Sequence, residues 1–209
     1  MAIEIRNNEL LGSNVADVDS YNSLKTVQAT PPGWPNNGGY FTVGGQVAAV
    51  VAVSLAANSS LMSMRYSLAS LKKAYVTKCR VLIASATAGA FATIPGTLGL
   101  QRFNGATPTG GTARVPNRLS EWMGAGSDMT DIRDSNAALT VTNVAFGSVV
   151  ASAIVPVFFT GGSMWYEWIV EPPQPIVLNP GDGLALRTQV AMPALQTWVY
   201  SYTFHWCEK

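Results

Sequence analysis

The amino-acid sequence predicts an all-β fold: an antiparallel, jelly-roll-like β-sandwich preceded by an extended or partly helical N-terminal arm and carrying one short inserted helix. Three observations favour this class. From Tyr40 onward, short runs rich in Val, Ile, Thr and aromatic residues alternate with Gly, Pro and Asn, as strands alternate with turns. Helical patterns do not alternate with these runs, which favours antiparallel sheets. Residues 198–206 place aromatics at every second position, the period of a β-strand.

The first 39 residues are predicted to be an arm and linker, and residues 40–209 the sandwich domain. Apolar residues of the arm recur at spacings of three, which suits one short amphipathic helix. An extended arm lying on a partner fits equally well. Residues 30–39, rich in Pro, Gly and Asn, are a linker by composition. We expect the arm to bind a partner through Val15, Val18, Tyr21, Leu24 and the linker residue Trp34.

Candidate strands of the sandwich follow the apolar runs, and about eight to ten of them are expected to be real. They cover residues 40–43, 46–56, 61–66, 72–86, 97–103, 138–146, 148–159, 163–170, 175–178, 183–191 and 197–206. Cys79, Val81 and Ile83 share one face of their strand, so Cys79 is expected to be a buried free thiol. The alternative is a disulfide with Cys207.

The inserted helix is predicted over Pro116 to Met123. Leu119, Trp122 and Met123 form an apolar stripe at helical spacing, and proline is favoured in the first turn of a helix.

A chain reversal is predicted at Asn179 to Gly183, between the apolar runs 175–178 and 184–188. Proline presets its own φ, and the glycines accept the positive φ that other residues resist. The closing strand that follows, Trp198 to Trp206, should face the core with its aromatic side.

The fraction of charged residues is unusually low: 12%, against about 25% in ordinary soluble domains. Three long stretches carry no charge, namely 26–64, 81–101 and 135–166. Many outer positions must therefore be Ala, Ser, Thr or Gly, which indicates surfaces that touch other protein in a homo-oligomer or larger assembly. A neutral, weakly hydrated monomer is the alternative. The net charge of +1 gives no argument for nucleic acid as a partner.

Membrane insertion and export are not predicted. The longest apolar run, residues 47–57, is too short to span a bilayer. The N-terminus lacks the apolar core of a signal peptide, so we expect the chain to be made in a host cytoplasm.

Catalytic, cofactor and metal sites are not predicted either. The one histidine, His205, is not accompanied by a G-x-S-x-G motif, and it is expected on the surface opposite the aromatic face. Asp128, Asp131 and Asp134 could bind Ca²⁺, but their spacing does not match an EF-hand. The favoured interpretation is a loop in which the aspartates cap turns and pair with Arg133.

Several short motifs resemble those of structural proteins encoded among the virion genes of tailed bacteriophages. In this sequence they are Val15-Ala16-Asp17-Val18-Asp19, Arg65-Tyr66, Asp131-Ile132-Arg133, the hairpin motif from Pro175-Ile176-Val177-Leu178 through Gly183 to Arg187, and the segment from Trp198 through Trp206 to Glu208. Asp134 departs from the pattern, which is usually apolar there.

The resemblance implies a virion component on the capsid surface, a decoration (cement) protein. Its partners would be the major capsid protein and further copies of itself, in clusters such as trimers. Two other functions stay open. A tail or fibre module that recognises a host glycan would need exposed loop aromatics. A glycan hydrolase would need paired carboxylates in a cleft.

Overall fold

A computed structural model describes residues 16–18, 24–26, 39–47, 55–85, 96–119, 126–140, 144–155, 165–192 and 198–209. The chain divides into two compact units, Met1–Gly38 and Gly39–Lys209. Throughout the described ranges every regular element is a β-strand.

The first unit contains a two-stranded antiparallel sheet. Strand β1 (Ala16–Val18) pairs with β2 (Leu24–Thr26), and Val18 lies opposite Leu24. The helical alternative is therefore wrong for these six residues; Val and Thr, with their branched Cβ atoms, suit a strand better than a helix. Val15, Tyr21 and Trp34 lie outside the described residues.

The second unit is built of two antiparallel sheets. The strands are β3 (Gly39–Gln46), β4 (Ser60–Tyr66), β5 (Ala74–Ser85), β6 (Gly96–Gly105), β7 (Thr112–Arg114), β8 (Asn117–Arg118), β9 (Met129–Asp134), β10 (Val144–Val155), β11 (Trp165–Val170), β12 (Ile176–Leu178), β13 (Asp182–Thr188) and β14 (Trp198–Glu208). The first sheet has the order β10-β6-β13-β4-β9-β7. The second has the order β11-β5-β14-β3-β8, with β12 also paired to β5.

Strand pairing is nested along the chain. The first long strand, β3, pairs with the last, β14, and β4 pairs with β13. Further in, β5 pairs with β11, and β6 pairs with β10. The chain therefore folds back on itself as a long antiparallel ribbon whose successive pairs fall in alternate sheets.

The core lies between the two sheets, and β14 contributes most to it. Trp198, Tyr200, Tyr202, Phe204 and Trp206 are all at most 2% exposed. Neighbouring rings of the ladder from Trp198 to Phe204 lie 5.6–6.4 Å apart between centroids, within the range of favourable aromatic pairs. The alternate residues of β14 are only half-buried, so the predicted inward-facing ladder is confirmed.

The turn at Asn179 is also confirmed, but it does not close a hairpin. Asp182 N–H donates to the Asn179 carbonyl at 2.9 Å, and Gly181 has φ of 89°, as a type II turn with Pro180 before it requires. The strands on either side join different sheets: β12 pairs with β5, and β13 pairs with β4 and β6. The turn crosses between sheets because the apolar faces of both strands pack into one core.

The predicted helix is wrong over its first residues. Asn117 and Arg118 form strand β8, opposite Thr42 and Phe41 of β3, and Leu119 N–H donates to the Tyr40 carbonyl at 2.8 Å. The backbone partners on the edge of β3 outweigh the local helical pattern at these residues. Residues 120–125 lie outside the described ranges.

Two further corrections concern strands. The aspartate segment predicted as a loop is strand β9 for residues 129–134, because β4 and β7 pair with it on both sides. The break predicted near Gly147 is instead an irregularity within the single strand β10, where the register against β6 shifts between Phe146 and Val149 and again before Ala151.

Candidate interaction surface

The three aspartates considered for Ca²⁺ do not converge on one point. Asp134 points inward and is 1% exposed, whereas Asp131 accepts a hydrogen bond from Thr107 and Asp128 one from Ser70. Among the residues that the structure describes, no group of three or more His, Cys, Asp or Glu side chains could hold a metal ion. Asp131 and Asp134 are three residues apart on β9 and therefore face opposite sides of the sheet.

Asp134 instead forms a partly buried ion pair that links strands. Arg114 donates from Nε to Oδ2 at 2.7 Å and from Nη2 to Oδ1 at 3.2 Å, and Tyr202 Oη donates to Oδ2 at 2.8 Å. The pairing expected with Arg133 is wrong, because Arg133 donates to the Gly110 carbonyl. Gly45 leaves the room that this cluster needs, since a Cβ there would lie 2.6 Å from Tyr202 Oη. The cluster joins β7, β9 and β14, and thus the two sheets.

A second buried carboxylate, Glu208, is held at the end of β14. It is 2% exposed and accepts hydrogen bonds from Ser127 Oγ, from Trp206 Nε1 at 2.9 Å and from Asp128 N–H at 3.0 Å. Burial, together with the nearby Glu208 and Asp128 charges, raises the pKa of Tyr66 to about 12. The donors on Ser127, Trp206 and Asp128 satisfy the Glu208 carboxylate, and they link the end of β14 to the segment before β9.

His205 lies on the face of β14 opposite the aromatic ladder, as predicted, but it is half-buried there and lies opposite Lys78 of β5. Burial and the Lys78 charge lower its pKa from 6.5. The two cysteines are free thiols and both are buried. Burial raises the pKa of Cys79 to about 12 and that of Cys207 to about 11. Both thiols stay protonated near neutral pH, the form that reacts least.

Arg187 of β13 is a buried cation with an unusual set of partners. It is 7% exposed; it donates to Gln101 Oε1 at 2.6 Å and to the Asn58 carbonyl. Its guanidinium lies 3.6 Å from the centre of the Phe146 ring. The aromatic face and neutral acceptors stabilise the charge, and burial lowers the pKa of Arg187. Arg187 thereby fastens β10 to the sheet.

The side of the sandwich formed by β10 and β11 is the candidate interaction surface. These strands are the edges of the two sheets and lie beside each other. Within the described residues, β10 pairs only with β6. Its twelve residues carry no charge, and their exposed apolar side chains include Val149 at 42%, Val150 at 38% and Ile154 at 66%.

Strand β11 adds two more apolar side chains on the outer face of its sheet. Trp165 is 64% exposed and Ile169 is 48% exposed, while Glu167 between them pairs with Arg80. The sequence predicted an assembly surface from uncharged stretches, and one of these, residues 135–166, contains all of β10. It did not identify β10 as an edge. Of the arm residues, the structure places only the backbones of Val18 and Leu24, opposite each other in the small sheet.

Comparison with known proteins assigns no family to this architecture. No family model matches the chain, and neither a curated protein nor a solved structure matches it. In the part of the chain that the structure describes, there is no helix with the length and hydropathy needed to cross a membrane.

Proposed function

We propose that this chain is a bacteriophage virion structural protein, a capsid decoration (cement) protein that binds the outer surface of the head. It stabilises the shell through contacts between its own copies and through its N-terminal arm. The observation that carries the proposal is the β10 edge: twelve uncharged residues with exposed Val149, Val150 and Ile154. An open edge of this kind favours association with other protein.

The strand pairing supports the finer assignment of the fold as a jelly roll. Eight strands alternate between sheets in nested pairs, β3 with β14, β4 with β13, β5 with β11 and β6 with β10. A jelly roll is such a ribbon of eight strands wrapped into two sheets. The short strands β7, β8 and β9 are additions at one side. The fold by itself does not fix the function, because one fold hosts many.

Shell stabilisation would come from many weak contacts acting together. The sandwich domains associate with further copies of themselves, and the arm of each copy lies on a subunit of the major capsid protein. Residues Val15, Val18, Tyr21, Leu24 and Trp34 are the apolar contacts of that arm. Tethered contacts strengthen one another because each binding event raises the effective concentration of the next. No metal, cofactor or catalytic group enters this role.

The location of the protein in purified virus particles tests the proposal. An antibody against the sandwich domain, applied to particles of the virus whose genome encodes the chain, should label the head in electron micrographs. Particles assembled without the gene should lose the label and lose DNA at lower temperature than complete particles. Label confined to the tail, or an unlabelled particle, would refute the decoration role.

A tail or fibre module that binds a glycan is the second candidate, and the exposed Trp165 is the observation that favours it. An exposed indole can stack on a sugar, although Trp165 lies on a strand rather than in a loop. The aromatics of β14, by contrast, are buried and offer no platform. Glycan-array binding by the native protein that Trp165→Ala abolishes, with tail labelling, would establish this function instead.

A further inference from the structure

We propose that strand β10 pairs antiparallel with β10 of a second copy about a two-fold axis, joining their first sheets into one continuous sheet. The inference deepens the proposed function, on which it rests for the requirement that copies of the chain associate. It names both the surface and the partner.

The backbone of β10 is prepared for such pairing. In an antiparallel strand, alternate residues direct their N–H and C=O groups to opposite sides. Those of β10 that point away from β6 have no strand partner within the described residues. Addition of a strand would satisfy them in the way a sheet edge recruits an extended peptide.

The absence of charge along β10 indicates that the partner strand is another copy. In a two-fold antiparallel pair every residue near the axis faces a residue of the same strand, so a charge there would lie close to its own copy and oppose pairing. The other strands of ten or more residues carry such charges: Lys78 and Arg80 on β5, Arg102 on β6, and Glu208 on β14. Strand β10 has no charged residue, so no repulsion between like charges opposes its pairing with a second copy in any register.

The regular part of β10 fixes the register of the proposed pair. From Ala151 to Val155 the strand runs without interruption against Leu100 to Gly96 of β6, whereas the preceding residues contain the register shifts. The pairing that uses this whole segment places Ala153 on the two-fold axis.

In this register a small residue meets a large one at every step off the axis. Ala151 lies opposite Val155 of the second copy on the core side, and Ser152 lies opposite Ile154 of the second copy on the outer side. Ala153 and Val155 are buried and Ile154 is 66% exposed, so the pair would cover the apolar side chain most exposed on β10. Matching small to large residues fills the contact without overpacking it.

The first test measures the mass of the full chain in solution. Sedimentation equilibrium of the native protein should give the mass of two chains or a multiple of it. Ile154→Lys should weaken this association at least tenfold, because the two lysine ammonium groups, one from each copy, would approach each other near the two-fold axis. The single chain should fold normally, since the Ile154 side chain is exposed and its replacement requires no repacking of the core. The matched control is Leu71→Lys, at a fully exposed position in the turn after β4, which should leave the association unchanged.

A disulfide-trapping experiment tests the register and does not depend on how Ile154→Lys folds. Chains carrying Ser152→Cys, mixed with chains carrying Ile154→Cys, should cross-link on mild oxidation. Neither variant alone should do so, because its own thiols would lie on the diagonal at roughly 7–8 Å, beyond reach of a disulfide. The native thiols Cys79 and Cys207 are buried and do not interfere.

Each outcome decides the inference. The mass of a single chain at a protein concentration of about 100 µM, well above the dissociation constants of stable complexes, would overturn it. An Ile154→Lys variant that dimerises as strongly as the native protein would overturn it too, and so would a mixture that fails to cross-link. The proposed function fails separately. If the cross-link forms but the virus particle lacks the protein, the β10 pair stands and the decoration role does not.

Discussion

The two lateral sides of the sandwich differ in how well their edge strands are protected against pairing with other strands. On one side the edges are β7 and β8, three and two residues long, and each carries an arginine, Arg114 or Arg118. On the other side the edge of the first sheet is β10, twelve residues long and uncharged. Its neighbour β11 has a single charge, Glu167, already paired with Arg80.

The first side therefore has a protected edge, and the second side has an open edge. Natural sheets protect their edges by keeping them short, by placing charges on them or by bulging them. The β7 and β8 side uses length and charge, and Arg114 is further tied to the buried Asp134. The β10 edge has irregular register only in its first half. None of the described strands covers its second half, which is why we place the interface there and not on the opposite side.

The largest expected effect on stability is at one of the two tryptophans of β11, the strand beside the open edge. Trp168→Ala should lower the free energy of unfolding by about 3–5 kcal/mol, because it leaves a cavity where an indole 8% exposed now packs. Trp165→Ala, at 64% exposure, should change it by less than about 0.5 kcal/mol. Urea unfolding followed by circular dichroism measures both. Equal losses would mean that Trp165 belongs to the core and not to a surface.

The ion pair on the protected side, between Asp134 and Arg114, gives the next largest effect on the free energy of unfolding. Asp134→Ala should cost about 3 kcal/mol of unfolding free energy, since it removes the carboxylate that accepts from both the Arg114 guanidinium and the Tyr202 hydroxyl. The control is Asp131→Ala on the same strand, where a half-buried carboxylate accepts from Thr107 and the loss should stay under about 1 kcal/mol. A smaller loss for Asp134 than for Asp131 would contradict its role as a link between the sheets.

Tyr202→Phe isolates one bond of that cluster. Removing the hydroxyl takes a donor from the Asp134 carboxylate and should cost about 1.5–3 kcal/mol, the range for a hydrogen bond to a charged group. Tyr166→Phe is the matched control, because Tyr166 packs against the core from β11 on the open side and should tolerate the change. Chemical denaturation of both variants decides the point, and an unaffected Tyr202→Phe would show that Arg114 alone holds the carboxylate.

Alkaline pH should weaken the fold through its buried tyrosines. Burial raises the pKa values of Tyr66, Tyr200 and Tyr202 above 10, so the folded state keeps them neutral after the unfolded state has begun to ionise. Their contribution is complete below pH 10 and is lost as the pH rises from about 10 towards 12. Thermal unfolding between pH 9 and about 11 should show a falling midpoint, and a smaller fall in Tyr66→Phe.

The smallest effect belongs to His205 on the acid side. Burial and Lys78 lower its pKa below 6.5, so the unfolded state binds the proton more readily. Stability is therefore complete above about pH 6.5 and declines as the pH falls through the lower, folded-state pKa. His205→Gln should lessen the drop in the thermal midpoint between pH 7 and pH 5. An unchanged drop would assign the acid sensitivity to the carboxylates.

Much of the fold could be predicted because its cause is local. The alternation of β14 required one apolar and one polar face, and both were found. The Asn-Pro-Gly-Asp turn required a reversal, and Gly181 supplies its positive φ. The helix prediction failed at Asn117 and Arg118 because the edge of β3 offered backbone partners to these residues. The candidate surface was predicted only as a general property, a shortage of charge.

Sequence patterns alone predicted which residues of β5 and β14 are buried, where the main turn lies, and that much of the surface is uncharged. These properties follow from side-chain periodicity, backbone preference and composition, all of which are read within a few residues. The pairing of distant segments, by contrast, places β12 and β13 in different sheets, brings Asp134 to Arg114 and Tyr202, and makes β10 an edge among the described strands. Each of these depends on which distant segments pair, and a strand carries no local mark of whether one neighbour or two will cover its backbone.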